Sequence, residues 1–244
     1  MEEEKNNLVG LLDHIEGLKD KKIKVYQAST GKNIDSSLLT FKQQKELIST
    51  VVDGPVGALK FQKILNDILL ENTGNDELLI SDKLPIILPI RCGSIGKEVK
   101  RDDKTFDITE NITRSKSFTP PKFTKIKDKI DIELYYPTLK EENKVILRAI
   151  EILKKDGDDT GKSIGDIFTV EIVKYIKSVT YDGNELNFLE LPINDRIKVV
   201  ENMPLSLNKK IVNMIEGFKD AENKLLKIEE GEESIDIDIS FFDN

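Results

Sequence analysis

The feature that most constrains this chain is that its apolar residues switch between two periods along its length. Over 40–71 and 138–220 they recur every three or four residues; over 97–137 and 224–241 they alternate. One element cannot satisfy both periods, so helices and strands must occupy separate blocks. The order predicts an α+β fold, mostly helical, with two antiparallel β ribbons at about 97–136 and 224–241. Each half runs from helices into a β segment, and the boundary falls near Pro137. The expected organisation is an N-terminal helix over 1–20, an N-terminal half over 21–137 and a C-terminal half over 138–244. The two halves share element order without a residue-level repeat.

Local signals place the elements. Leu8, Leu11, Leu12, Ile15 and Leu18 share a face opposite Glu3, Asp13, Glu16 and Lys19, which predicts a short docking helix. Lys22–Gln27 and Ile34–Leu39 read as extended, joined by the turn-forming Ser29-Thr30-Gly31-Lys32. Thr40 stands as an N-cap with Gln43 at N3, a capping-box pattern, and Asp53-Gly54-Pro55 breaks that helix. A second helix is expected from Val56 to Glu71, with Leu59, Ile64, Ile68 and Leu69 on its apolar stripe. Residues 84–96 read as helix despite two prolines. Ile126, Ile130, Ile132 and Leu134 alternate as a strand does, after a loop marked by Pro120-Pro121. Thr138 and Glu141 repeat the capping pattern ahead of Val145, Leu147, Ile150 and Leu153, all expected to face inward. Helices follow at about 164–178, 193–201 and 205–220. Leu225–Glu229 and Ile235–Phe241 read as a hairpin around Glu-Glu-Gly-Glu-Glu, with Ile235, Ile237 and Ile239 on one face and Asp236 and Asp238 on the other.

Composition excludes several functions. The 244 residues carry a net charge of −8, with 34% charged and 38% apolar side chains, as soluble globular chains do. No stretch approaches the ~18 uninterrupted apolar residues of a membrane span. The N-terminus is acidic where a secretory signal would be basic. The single cysteine, Cys92, rules out an internal disulfide and suits a reducing cytosol. It also lacks a second histidine to serve as its base, and His14, the only histidine, stands in no triad-like spacing. Gly157-Asp158-Asp159-Thr160-Gly161-Lys162-Ser163 resembles a phosphate loop but is one residue short, and its carboxylates would repel phosphate. The pairs Asp102/Asp103, Asp158/Asp159 and Asp236/Asp238 have no calcium-loop spacing and read as solvated faces. Asn111-Ile112-Thr113 is a chance glycosylation triplet in a chain with no export signal. The basic run Arg114–Lys129 reads as a loop or as an electrostatic contact to an acidic partner, and the acidic balance of the chain argues against nucleic acid.

Several segments, taken in order, resemble the baseplate hub subunit and hub-assembly family of T-even-like contractile-tailed bacteriophages. The residues that carry the resemblance are Ala28-Ser29-Thr30-Gly31-Lys32, the Phe41-Lys42-Gln43-Gln44-Lys45-Glu46-Leu47-Ile48 segment, Ile90-Arg91-Cys92-Gly93-Ser94-Ile95-Gly96, and the Phe241-Phe242 ending. It covers about residues 21–244. Members often carry paired cysteines that make the two β segments look like zinc ribbons. Here 97–137 and 223–242 lack Cys and His, so any ribbons would be degenerate and metal-free. The resemblance implies a non-enzymatic hub component or hub-assembly chaperone, without cofactor or metal. Its partners would be other phage tail and hub proteins, in the host cytoplasm during assembly and in the tail baseplate of the virion. The contrasting class is a small cytosolic hydrolase or nucleotide-dependent enzyme. Phe241, Phe242 and Arg91 are the interface candidates: the two rings either pack back onto the core or, because adjacent aromatics in an extended tail point opposite ways, leave one free to anchor a partner.

Overall fold

The computed structural model of the protein describes residues 22–50, 54–101, 104–156, 160–228 and 234–243. The expected helix over 1–20 with His14, the Asp102/Asp103 and Asp158/Asp159 pairs, and the Glu-Glu-Gly-Glu-Glu turn lie outside those residues.

The chain enters through an antiparallel hairpin, β1 (Lys22–Gln27) and β2 (Lys32–Ser37), with Val25 opposite Ile34. Gly31 closes its turn at φ +69°, a region that glycine enters without steric cost. Thr40 caps α1 (Phe41–Ile48) as the sequence predicts. Gln43 N–H donates to Thr40 Oγ1 at 3.2 Å, and Thr40 N–H donates to Gln43 Oε1 at 3.0 Å. Thr40→Ala removes this acceptor and should lower stability by about 1 kcal/mol, read in a chemical denaturation series.

Helices α2 (Gly54–Thr73) and α3 (Lys83–Ser94) follow, with a 3-10 turn (Ile80–Asp82) leading into the latter. In α3 seven of the twelve residues are buried, Leu84, Pro85, Ile86, Ile87, Leu88, Ile90 and Arg91, so it is the central rod of the core. A helix apolar on all sides must be wrapped by its neighbours. Pro89 in its interior cannot donate to the Pro85 carbonyl, a cost that the packing around the helix must outweigh. Next come the small hairpin β3 (Glu98–Arg101) and β4 (Lys104–Asp107), helix α4 (Thr109–Ser115) and strand β5 (Ile130–Leu134).

The second half opens with α5 (Leu139–Asp156), capped by Thr138 and Glu141 in the expected reciprocal pattern. Then come α6 (Thr160–Val173), β6 (Ile176–Tyr181), β7 (Asn184–Asn187), α7 (Ile193–Glu201) and α8 (Leu205–Leu226). Strand β5 pairs with β6, and β6 with β7, in one antiparallel sheet that therefore crosses Pro137. A single apolar cluster joins Val25, Leu69, Ile86 and Ile108 to Val173, Phe188, Ile211 and Phe241.

The chain is α+β and mostly helical, with small antiparallel sheets. Their placement corrects the expectation in four ways. The first ribbon is a short hairpin at 98–107; the alternating stretch after it pairs with β6. The helix expected to reach 178 stops at Val173, because Ile176–Tyr181 is rich in β-favouring residues and runs into Asp182-Gly183. Both turn residues have positive φ (+48° and +78°), which joins β6 to β7 as a primed two-residue turn does. Leu147 is 46% exposed, because the buried face of α5 runs through Val145, Ile146, Ala149 and Ile152. Finally, among the described residues the expected terminal hairpin shows one bridge, Lys227 with Ser234. Helix α8 runs on to Leu226, and Ile239–Phe242 is a 3-10 turn. Asp238 Oδ1 takes the Ser240 amide at 2.9 Å and so starts a turn where a strand would continue. The alternation itself survives: Ile235 is buried and Ile237 and Ile239 are half-buried, while Asp236 and Asp238 are exposed.

Candidate functional site: a buried clasp and a charged cleft

Arg91, Phe241 and Phe242 converge, but inside the protein. All three are fully buried. Arg91 projects from the last turn of α3, where its Nε donates to Phe241 O at 3.0 Å. Its other guanidinium nitrogens donate to Glu98 O at 2.6 Å and to Gly96 O. The guanidinium carbon also lies 5.4 Å from the centroid of the Phe241 ring, within cation–π range. Phe242 meets Phe241 edge to face at 5.0 Å and Phe61 of α2 at 5.9 Å. Gln44 Nε2 of α1 donates to Phe242 O at 2.7 Å. Burial lowers the Arg91 pKa from its ordinary value, with the Cys92 thiol opposing slightly. Both rings point into the core, because the 3-10 turn bends the tail back onto α1, α2 and α3.

The other motif residues are also spent internally. Ser29 directs its N–H and its hydroxyl onto Asp82, at 2.7 and 2.8 Å, and Asp82 also takes the Leu79 amide at 2.9 Å. Ser94 Oγ accepts from Leu39 N–H at 2.8 Å and donates to Ile90 O at 2.7 Å. Gly96 adopts φ +127°. These residues fasten the entry hairpin and β3 to the ends of α3. Asn111 of the glycosylation triplet is buried and donates to Leu225 O at 2.7 Å, so it is a tie to α8. Cys92 is half-buried, and Thr160-Gly161-Lys162-Ser163 opens helix α6. Among the described residues, no group of three or more His, Cys, Asp or Glu side chains is placed to hold a metal ion. Nor is any described helix long and apolar enough to cross a membrane.

Sequence reasoning missed a cluster of charges in a cleft of about 280 Å³ between α2, α3, α5, α6 and α8. Glu142 of α5 is 3% exposed and Lys174, just after α6, is 6% exposed. Glu142 pairs with Lys174 at 2.9 Å and with Lys83, and it also accepts from Asn66 Nδ2 at 2.9 Å. Lys174 pairs in turn with Glu171 at 2.6 Å. Burial alone would push the Glu142 carboxyl up, but Lys83 and Lys174 outweigh it and hold it well below the ordinary carboxylate range. Burial would likewise lower Lys174, but Glu142 and Glu171 hold it well above its ordinary value. Each charge at the floor is thus balanced by a neighbour, which makes the cluster an internal tie between helices.

Glu222 of α8, half-buried in the same cleft, behaves differently. Burial raises its pKa to about 7, helped by Glu142 and opposed by Lys83, Lys174 and Lys219. A carboxyl raised on folding favours the protonated native state. Its contribution to stability is therefore present below about pH 4.5 and lost as pH rises through about 7. Glu222→Gln should flatten stability against pH between those values and raise it above about pH 7, checked by urea unfolding across that range.

A family model described as T4 bacteriophage base plate protein matches residues 20–233. The chain belongs to that family. No curated protein and no solved structure matches it significantly. As a member of the T4 base plate family, the chain is a structural component of the phage baseplate and interacts with other baseplate proteins. The family match and the clasp bear on each other. Ser29, Arg91, Ser94 and Gly96, which carried the resemblance, act in the architecture that holds the first half together.

Proposed function

We propose that this baseplate protein is a non-enzymatic hub component or hub-assembly chaperone, working through contacts with other tail and hub proteins. On this reading it acts in the host cytoplasm while the hub is built, and it associates with the tail baseplate of the virion. The match of the T4 base plate family over residues 20–233 carries the reading. The use of the chain's distinctive polar residues supports it. Asp82, Arg91, Glu142 and Lys174 are each consumed by internal hydrogen bonds or ion pairs, and a structural element needs them there. The test is co-purification from infected cells and from mature particles. Hub proteins retained by the tagged chain would support the proposal. A chain that copurifies with outer baseplate parts and never with the hub would overturn it.

A further inference from the structure

Glu222 is left over from the pairing that ties the charged cleft together. It stands on the inward stripe of α8, between the buried Phe218 and Leu225, where an apolar side chain would serve the core better. The lysines that face it are committed elsewhere. Lys83 of α3 and Lys174 after α6 pair with Glu142 of α5. Glu171 of α6 takes Lys174 at 2.6 Å and Lys219 of α8 at 3.7 Å. Among the described residues none lies within ion-pair range of Glu222 itself, and the two phenols that face it, Tyr136 and Tyr175, bring no charge. A half-buried carboxylate without a partner weakens the fold, and such a group persists where binding needs it. The cleft it lines is concave. At about 280 Å³ it is smaller than the usual ~300–1,000 Å³ ligand pocket, so it takes one side chain rather than a folded element. Its walls are apolar and aromatic, with Phe61, Leu84, Ile87, Tyr175, Phe218 and Leu226.

From this geometry we infer that the cleft is a binding site for an arginine side chain of a partner protein, with the guanidinium on the Glu222 carboxylate and the stem along the apolar walls. A cation is the group that an unpaired carboxylate lacks. Arginine fits better than lysine here. Its planar fork meets both carboxylate oxygens, it is more weakly hydrated than an ammonium, and it stacks on aromatic faces. The aromatic wall already holds a cation: the Lys174 ammonium lies 5.1 Å from the centroid of the Tyr175 ring. The aliphatic stem of an arginine covers apolar surface while its head stays polar, which matches a cleft with both kinds of lining. The choice of a protein as the source of the arginine rests on the baseplate reading; the site itself rests on the cleft. Binding selects the ionised form of Glu222, so affinity should rise as pH passes through about 7. The groups around it do not blur that dependence. Glu142 is held well below the ordinary carboxylate range and Lys174 well above its ordinary value, while burial pushes Tyr136 and Tyr175 up and keeps them neutral.

The experiment titrates N-acetyl-arginine N-methylamide into the full-length chain and follows the glutamate carboxyl signals by NMR. The expected result is saturable binding at about pH 8 that is at least about tenfold weaker at about pH 5.5, where Glu222 is protonated. By reciprocity, saturation with the probe should move the Glu222 titration to lower pH. A Glu222→Gln chain should bind at least about tenfold more weakly at about pH 8 and show no pH dependence. The matching citrulline compound, neutral and of nearly the same shape, should not bind. Butylguanidinium, which has the head and stem without a peptide backbone, separates a protein side chain from a free cation as the source. No saturable binding at about pH 8, equal binding of the citrulline compound, or wild-type affinity in the Glu222→Gln chain would overturn the site. Butylguanidinium binding where the blocked arginine does not would overturn the protein partner. Each of these outcomes leaves hub membership untouched, because co-purification decides that separately.

Discussion

Glu142→Leu should destabilise the protein by about 3–5 kcal/mol, the usual cost of removing one partner from a buried ion pair. The substitution keeps the volume near that of the original side chain but removes the buried carboxylate that Lys83 and Lys174 share, so that Lys174 keeps only Glu171. It also removes one of the two acceptors of Asn66 Nδ2, leaving Asn143 Oδ1 at 2.9 Å as the other. At about 2–4 °C per kcal/mol for a chain of this size, the melting temperature should fall by roughly 6–20 °C. Adding Lys174→Met should recover part of the loss, because the second change removes one of the two cations that the carboxylate balanced. Thermal melting of the single and double variants checks both statements. A single variant that melts with the wild type would show that the floor of the cleft is solvated.

That cluster was hidden in the sequence for a physical reason, although a trace of it was present. Glu142 lies on the helical face of Val145, Ile146 and Ala149. Glu222 lies in the stripe of Ile211, Ile215, Phe218 and Leu225. A charge at an apolar position of a helical stripe signals a buried carboxylate. Its partners Lys83 and Lys174 come from distant parts of the chain, and no local pattern pairs them. Both capping boxes, at Thr40 and Thr138, were legible because a cap is a three-residue interaction. The central helix was legible from its apolar run even with Pro89 inside it. Strand β6 was not, because its apolar residues continue from α6 without a break; Asp182-Gly183 was the overlooked signal. At the tail the alternation of Ile235, Ile237 and Ile239 marks the inward face, but alternation does not supply a partner strand. Asp238 turned the chain instead, and the rings that an extended tail would have splayed apart went together into the core.

The clasp is the feature on which the whole architecture turns, and removing its two rings has the largest expected effect. Cutting the chain after Ser240 deletes two fully buried phenylalanines. Burial of each ring is worth about 2–3 kcal/mol, and the space each leaves adds a cavity cost. Arg91 Nε and Gln44 Nε2 lose the carbonyls they serve at 3.0 and 2.7 Å. Together the loss should be at least about 5 kcal/mol, a large share of the roughly 5–15 kcal/mol typical of a folded domain. The decisive measurement is the melting temperature of the chain ending at Ser240 beside that of the full chain, by circular dichroism. A fall of about 10–20 °C is expected on the same scale. A truncated chain that melts within about 2 °C of the full one would contradict the clasp, because its two rings would then contribute almost nothing to the core.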